Sequence, residues 1–406
     1  MLKAGDVILL CVLSLLCLGV LMVNSASLSV GNEEGVSFQS IALGRSTQFA
    51  VIAFVLLLVA SRLPIRSWAM QPWLTRFLPM LVVLSLGMMA LVYVPSLARE
   101  VNGSARWIGI PGIGLSMQPS EIAKWAMPLF LAWYCARHVT QIRRFWTGLF
   151  PSLMILGLVT AVVTHQDLGT GVLIFGTGCL VLLAGGARLR HFVALAPLPL
   201  AGLVAAIIIE PYRVRRLTTF MNPYADPDGD GYHMIQSLVA VANGEGFGRG
   251  IGFGLQKFGY LPEDRTDFLF AVLCEELGIM GVLVVLTLYS TILIAGLRIV
   301  QRESHLLLKL ASLGFLATLG FQACINLTVV VGLAPTKGIA LPLLSSGGTG
   351  WILTAGALGL LIAVDRSQSA LQPQIVEQSD SGAITTSLVE PKALGEDQAS
   401  PELMPA

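Results

Sequence analysis

The stretch 268-FLFAVLCEELGIMGVLVVLTLYSTILIAGL-297 decides the fold. It carries no charge after Glu276. A helix needs about 20 apolar residues to cross a bilayer's hydrocarbon core. This run exceeds that length, so it predicts a spanning helix with room to tilt or to project beyond the bilayer.

Working outward in both directions, runs of the same kind recur at 7–23, 48–61, 77–95, 119–136, 148–164, 170–186, 192–209, 308–331 and 349–365. With 268–297 they make ten candidate spans. The composition agrees: 55% of the 406 residues are hydrophobic and 12% are charged, and the mean hydropathy is +0.77. A soluble domain carries about 25% charged residues. The predicted fold class is therefore all-α, a polytopic membrane protein. A net charge of +1 gives no case for a nucleic-acid partner. The first apolar run is followed by others like it, so it reads as a span rather than a cleaved signal. The six cysteines lie in apolar runs without CxxC spacing and read as free thiols.

Short loops set the expected orientation. With the N-terminus inside, the inner segments hold Lys3, Arg62, Arg66, Arg76, Arg137, Arg143, Arg144, Arg188, Arg190, Arg298, Arg302 and Lys309. The short outer loops hold only Arg45, Arg99, Arg106 and Lys337. That is the bias of cytoplasmic loops, and an even number of spans puts both termini in the cytoplasm. Residues 1–366 then form the membrane domain, and 367–406, rich in Ser, Gln, Glu and Pro, read as a disordered cytoplasmic tail. Residues 210–267, between spans seven and eight, form one large extracytoplasmic loop. Long loops of this kind tend to be functional. Within it, 232–243 (YHMIQSLVAVAN) predicts an amphipathic helix on the membrane surface.

Two patterns in that loop fail on chemistry. Asp226, Asp228, Asp230 and Gly231 match half of a calcium loop, but Ser237 stands where a glutamate is needed. The glycines from Gly246 to Gly254 follow no strand, so they are not a dinucleotide fingerprint; they predict a loop whose backbone approaches a ligand.

The stronger pattern is polar residues at the outer ends of different spans. Arg106 and Trp107 precede span four, and Gln118, Ser120, Glu121 and Lys124 begin it. His165, Gln166, Asp167 and Thr170 occupy the turn between spans five and six. Arg215 and Arg216 open the long loop. Glu263, Asp264, Arg265, Thr266 and Asp267 close it, and Glu275 and Glu276 follow inside span eight. Lys337, Ser345, Ser346 and Thr349 precede span ten. Ionisable groups at membrane depth are costly and face a cavity, a partner or one another. Arg106, Lys124, Arg215, Arg216 and Lys337 suit an anionic group such as a diphosphate, and a desolvated carboxylate such as Asp267 suits a general base. No GxxxxGK[ST] string couples the chain to nucleotide hydrolysis. A carrier and a membrane-embedded transferase both fit.

The strings QPSEIAK (118–124), DLGTG (167–171), NPYADPDGDGYHMIQS (222–237), QKFGYLPEDRTDF (256–268), EELG (275–278) and PTKGIALPLLSSGG (335–348) together resemble the SEDS family (shape, elongation, division and sporulation), its FtsW and SpoVE branch more than RodA. The resemblance implies a ten-span fold in the cytoplasmic membrane and a peptidoglycan glycosyltransferase. Its substrate would be lipid II, a disaccharide-pentapeptide on undecaprenyl diphosphate. Its partners would be a class B penicillin-binding protein transpeptidase and other division proteins. It implies Asp267 as the catalytic residue. Arg106, Trp107, Lys124 and Lys337 fall on the family's other motif positions, and Glu121, Asp167, Glu263, Glu275, Glu276 and Ser345 are expected to support the cavity. The chain departs from the family strings at Gln166, at His233 and at Ser346, where a tyrosine is usual. A divalent cation, magnesium or manganese, could share the work of neutralising a diphosphate, but no ligand spacing identifies one. The rival expectations are a lipid II flippase and a non-catalytic scaffold for the transpeptidase.

Overall fold

The computed structural model describes residues 3–27, 43–92, 94, 98–101, 104–109, 116–258, 260–346 and 348–380. Its helices are α1 (Ala4–Ala26), α2 (Arg45–Ala60), α3 (Leu78–Leu91), α4 (Pro119–Arg137), α5 (Phe150–Gln166), α6 (Leu168–Ala184), α7 (Leu189–Leu195), α8 (Pro197–Ile209), α9 (Pro211–Met221), α10 (Tyr232–Asn243), α11 (Leu269–Arg302), α12 (Leu306–Val330) and α13 (Thr349–Asp380), with single turns elsewhere. Each of the ten apolar runs is helical. Among the described residues, six helices are long and apolar enough to cross a membrane, or seven if α7 and α8, bent by 40° at their junction, count as one span. Helices α2 and α6 are apolar but have 16 and 17 residues, and α4 carries Glu121, Lys124 and Arg137.

Among the described residues, the helices pack into two large apolar cores and a small third one of Trp125, Phe315 and Ala357. One gathers α1, α2, α11, α13 and parts of α12 around Leu15, Leu57, Val285, Leu319 and Leu358. The other gathers α3, α4, α5 and α6 around Met89, Leu131, Leu156 and Val181. Helix α8 contributes no buried residue.

The polar loops contain more structure than their charge suggested. A small antiparallel sheet, β1 (Ala98–Val101), β2 (Ser104–Gly109) and β3 (Ser116–Met117), precedes α4. It pairs Arg99 with Trp107 and Ile108 with Met117, so β3 runs directly into Gln118 and α4. The expected helix at 232–243 is α10. Helix α9 was not anticipated, because its three arginines make PYRVRRLTTFM read as loop.

The backbone of the glycine run approaches α11. Gly278 breaks α11 with φ 60° and ψ −156°, a conformation open to glycine alone. At the break, the carbonyls of Glu275 and Glu276 accept hydrogen bonds from Arg249 N–H and Gly250 N–H, each at 2.9 Å. The loop thus replaces helical donors that the kink removes. The fit needs bare backbone: Gly248 has φ +74°, and a Cβ there would stand 2.2 Å from the Glu276 carbonyl oxygen.

Through Gln368, α13 belongs to this helical unit. From Ser369 a second unit begins, helical as far as Asp380 and so beyond the tail boundary read from composition. Residues 381–406 of the expected tail lie outside the described residues.

Candidate functional site

Separate segments of the chain supply one cavity. Trp107 comes from β2, and the β3–α4 junction brings Gln118, Glu121 and Lys124. The α5–α6 junction brings Asp167 and Thr170. The segment before α11 brings Thr266 and Asp267, and the segment after α12 brings 338–343, Ser345 and Ser346. The cavity measures about 110 Å³, well above the ~10–15 Å³ that one water needs. It has room for water beside its polar groups.

Lys124, 2% exposed, lies one turn above Glu121 on α4. Its ammonium donates to Glu121 Oε1 and Oε2, each at 2.8 Å, and to Gln322 Oε1 at 2.7 Å. All three N–H donors are directed, so the charge is fixed in place rather than carried on a mobile stem.

Asp167 has two duties. It caps α6, accepting from Thr170 N–H at 3.1 Å and Thr170 Oγ1 at 2.8 Å, as an aspartate three residues before a threonine would. It also lines the cavity, and its charge acts on Lys337. Burial pushes the Lys337 ammonium below the ordinary lysine value, and Asp167 pulls it back up.

Asp267 ends the loop that leads into α11. Its Oδ2 lies against Gly338, where an added Cβ would be 3.2 Å away. That glycine, from the PTKG string, gives the carboxylate room at the cavity wall. Ser346 N–H donates to the Arg265 carbonyl at 2.9 Å, tying the two loops. Ser345 Oγ accepts from Leu341 N–H at 3.1 Å. Ser346, at the family's usual tyrosine position, forms part of the wall.

The other expected residues stand elsewhere. Glu275 and Glu276, expected to support the cavity, are fully buried and do not line it. Glu275 accepts from Leu255 N–H and Gln256 N–H, both at 3.0 Å. Glu276 pairs with Lys257 at 2.7 Å and accepts from Ser25 Oγ. Both carboxylates are consumed in fastening the 255–257 loop and α1 to α11. Glu263 is exposed and receives Thr266 Oγ1 at 2.7 Å, bracing its own turn. Arg215 is exposed and lies 3.9 Å from Asp230. Arg216 donates to the Thr336 carbonyl at 3.3 Å, next to Lys337. Arg106 lies on β2 beside Trp107, and its side chain lies outside the described residues.

Two titrating groups flank this region. Asp264 is pushed up to about 6 by burial, against the pull of Arg265. Burial holds His233 low, Arg216 adding to the effect while Glu263 and Asp230 oppose it. Among the described residues, no group of three or more His, Cys, Asp and Glu is placed to hold a metal ion.

Gln322, Trp351 and Thr354 also line the cavity and were missed in the sequence. The available signal was a glutamine inside the apolar run 308–331, with Asn326 one turn further on.

A cavity with a fixed cation, an indole wall and a carboxylate on a separate segment, and with half-buried Lys337 next to Gly338 of its wall, can hold an anionic headgroup and take up a proton beside it. Comparison with known proteins agrees. A family model described as "Cell cycle protein", covering FtsW, RodA and SpoVE, matches residues 6–370. Stage V sporulation protein E of Bacillus subtilis is 36% identical over 367 residues, spanning 90% of this chain and 98% of its own. The probable peptidoglycan glycosyltransferase FtsW of Halomonas elongata is 37% identical over 363 residues, 88% of this chain and 89% of its own. Among solved structures, a chain described under "Structural coordination of polymerization and crosslinking by a peptidoglycan synthase complex" superposes with a TM-score of 0.69 at 29% identity, covering 89% of this chain and 97% of that one. The rod shape determining protein RodA of Thermus thermophilus gives 0.62 at 26% identity, covering 89% and 96%.

Proposed function

The chain belongs to the FtsW, RodA and SpoVE family of cell cycle proteins, and on that premise we propose that it is a peptidoglycan glycosyltransferase whose reaction takes place in the cavity between Lys124 and Asp267. The observation that carries this reading is the convergence there of a lysine locked in its charged geometry and a carboxylate on a different loop.

The substrate is lipid II, serving as both donor and acceptor. Asp267 takes the proton from the acceptor's 4-hydroxyl as that oxygen attacks the donor's anomeric carbon. The bond from that carbon to the diphosphate oxygen breaks, and its electron pair leaves with undecaprenyl diphosphate. One displacement converts an α-linked donor into a β-1,4 bond. Lys124 and Lys337, together with Arg106, Arg215 and Arg216, neutralise the charge that builds on the leaving group. Trp107 offers an apolar face to the sugar. The ten helical runs are ten spans, with both termini in the cytoplasm and 210–267 outside. The exposed apolar faces of the helices hold the polyprenyl tails. A class B penicillin-binding protein cross-links the product; the solved complex whose title couples polymerization to crosslinking supports that partnership.

The test is polymerisation of labelled lipid II by purified protein with its cognate transpeptidase, wild type against Asp267→Ala and Asp267→Asn. Long glycan strands from wild type alone, with all three proteins folded and partner-bound, are expected. Full activity of Asp267→Asn would remove the general-base role. No product from wild type, together with lipid II translocation in vesicles, would replace the enzyme with a flippase.

A further inference from the structure

Two amide side chains of α12 connect the parts of the cavity that the chain delivers separately. Gln322 and Asn326 are four residues apart, so they share one face of the helix, one turn apart. Both are buried, at 6% and 2% exposure. Gln322 Oε1 accepts from Lys124 Nζ at 2.7 Å, and its Nε2 donates to the Ala340 carbonyl at 2.8 Å. Asn326 Nδ2 donates to the Asp267 carbonyl at 2.8 Å and to the Ile339 carbonyl at 2.7 Å. Successive residues of the 338–341 loop are thus held by successive amides, and each amide also grips a segment bearing a charged cavity residue.

The orientation of both amides follows from their partners. Lysine has only donors and a backbone carbonyl only accepts, so Gln322 must present its oxygen to Lys124 and its nitrogen to Ala340. Asn326 faces two carbonyls and must present its nitrogen. Its own Oδ1 is left buried without a hydrogen-bond partner. A buried acceptor without a donor is costly, and a leucine would fill the same space without that cost. The Asn326 fork also holds both sides of one contact: Asp267 itself, and Ile339 next to the Gly338 on which the Asp267 carboxylate rests.

We propose that Gln322 and Asn326 are positioning residues, which set where Lys124 and the Asp267 carboxylate stand across the cavity; this rests on the glycosyltransferase reading above. Neither touches the reacting atoms in the scheme. A displacement of about 1 Å at a reacting group costs on the order of 10²-fold in rate, and α12 supplies the rigid bar against which both groups are set.

The experiment measures lipid II polymerisation by full-length protein with its transpeptidase, comparing wild type, Asn326→Leu, Gln322→Met and the isosteric Gln322→Glu. Asn326→Leu should lower kcat by about 10²-fold with KM little changed, since it releases the base while leaving the cations in place. Gln322→Met should act mainly on KM, raising it by roughly tenfold, the size of one hydrogen bond to a charged group. Gln322→Glu keeps an acceptor toward Lys124 and loses the Nε2 donor to the Ala340 carbonyl, so its KM should stay nearer wild type than that of Gln322→Met while its kcat falls. A residue that merely filled space would give the two variants the same KM. Should the two apolar variants fail to fold, the split of KM against kcat in Gln322→Glu decides. An active wild type, with folded variants matching it in kcat and KM, overturns the proposal alone. A wild type that translocates lipid II without polymerising it overturns the reading beneath it as well.

Discussion

Two lysine–glutamate pairs lie inside the helical unit, and their local chemistry is nearly the same. Lys124 meets Glu121 at 2.8 Å and Lys257 meets Glu276 at 2.7 Å. Each lysine has a neutral third partner, Gln322 for one and Ser25 Oγ, at 3.0 Å, for the other. What separates them is water. The Glu121 side chain is 16% exposed and borders the cavity, whereas Lys257 and Glu276 are both 0% exposed. The first pair borders a cavity that a ligand can enter. The second spends its charges on each other and fixes the junction of α1, the 255–257 loop and the broken start of α11. Charge at membrane depth therefore locates sites and framework alike, and access to solvent tells them apart.

The comparison can be broken most forcefully at the sealed pair. Lys257→Met strands a carboxylate without solvent, and breaking a buried pair in this way costs roughly 3–5 kcal/mol. Adding Glu276→Leu removes the stranded charge and should return most of the lost stability, read as the thermal midpoint of the detergent-solubilised protein. Equal destabilisation by the single and double variants would show that the pair is not sealed.

At the cavity pair the result should invert. Lys124→Met should leave the midpoint close to wild type, because water can reach Glu121, yet lower polymerisation by about 10²–10³-fold, the usual cost of losing one preorganised electrostatic group. Loss of stability in step with loss of activity would make Lys124 framework too.

The smallest effect concerns pH. Burial lowers the Lys337 ammonium's pKa and the Asp167 charge raises it. Removing that charge in Asp167→Asn lets the pKa fall further, so Lys337 loses its proton at lower pH and the alkaline limb of the pH–rate profile shifts down. The Lys257 and Glu276 double variant should leave the profile where it is. An unshifted limb in Asp167→Asn would take Lys337 out of the reaction.

Much of this was legible in the sequence. The ten apolar runs all became helices, because the free energy of placing a segment in hydrocarbon is set largely by that segment's own composition. The helix at 232–243 was legible from its periodicity, and the strings around Lys124, Asp167 and Asp267 led to residues that meet in one cavity. The sheet at 98–117 and helix α9 were hidden by their polar composition.

What the sequence by itself determined was which segments are apolar and helical and which strings carry the polar residues that line the cavity. Where each buried charge turns was decided only by tertiary structure, since its partner comes from distant chain: Ser25 and Glu276 are 251 positions apart, and Lys124 and Gln322 are 198. Glu275 and Glu276 were read as cavity residues because nothing local distinguishes a carboxylate facing water from one facing a lysine. Gln322 and Asn326 were overlooked for the complementary reason. An uncharged amide in an apolar run barely alters its partitioning, and it gains meaning only when the groups it bridges arrive from elsewhere in the fold.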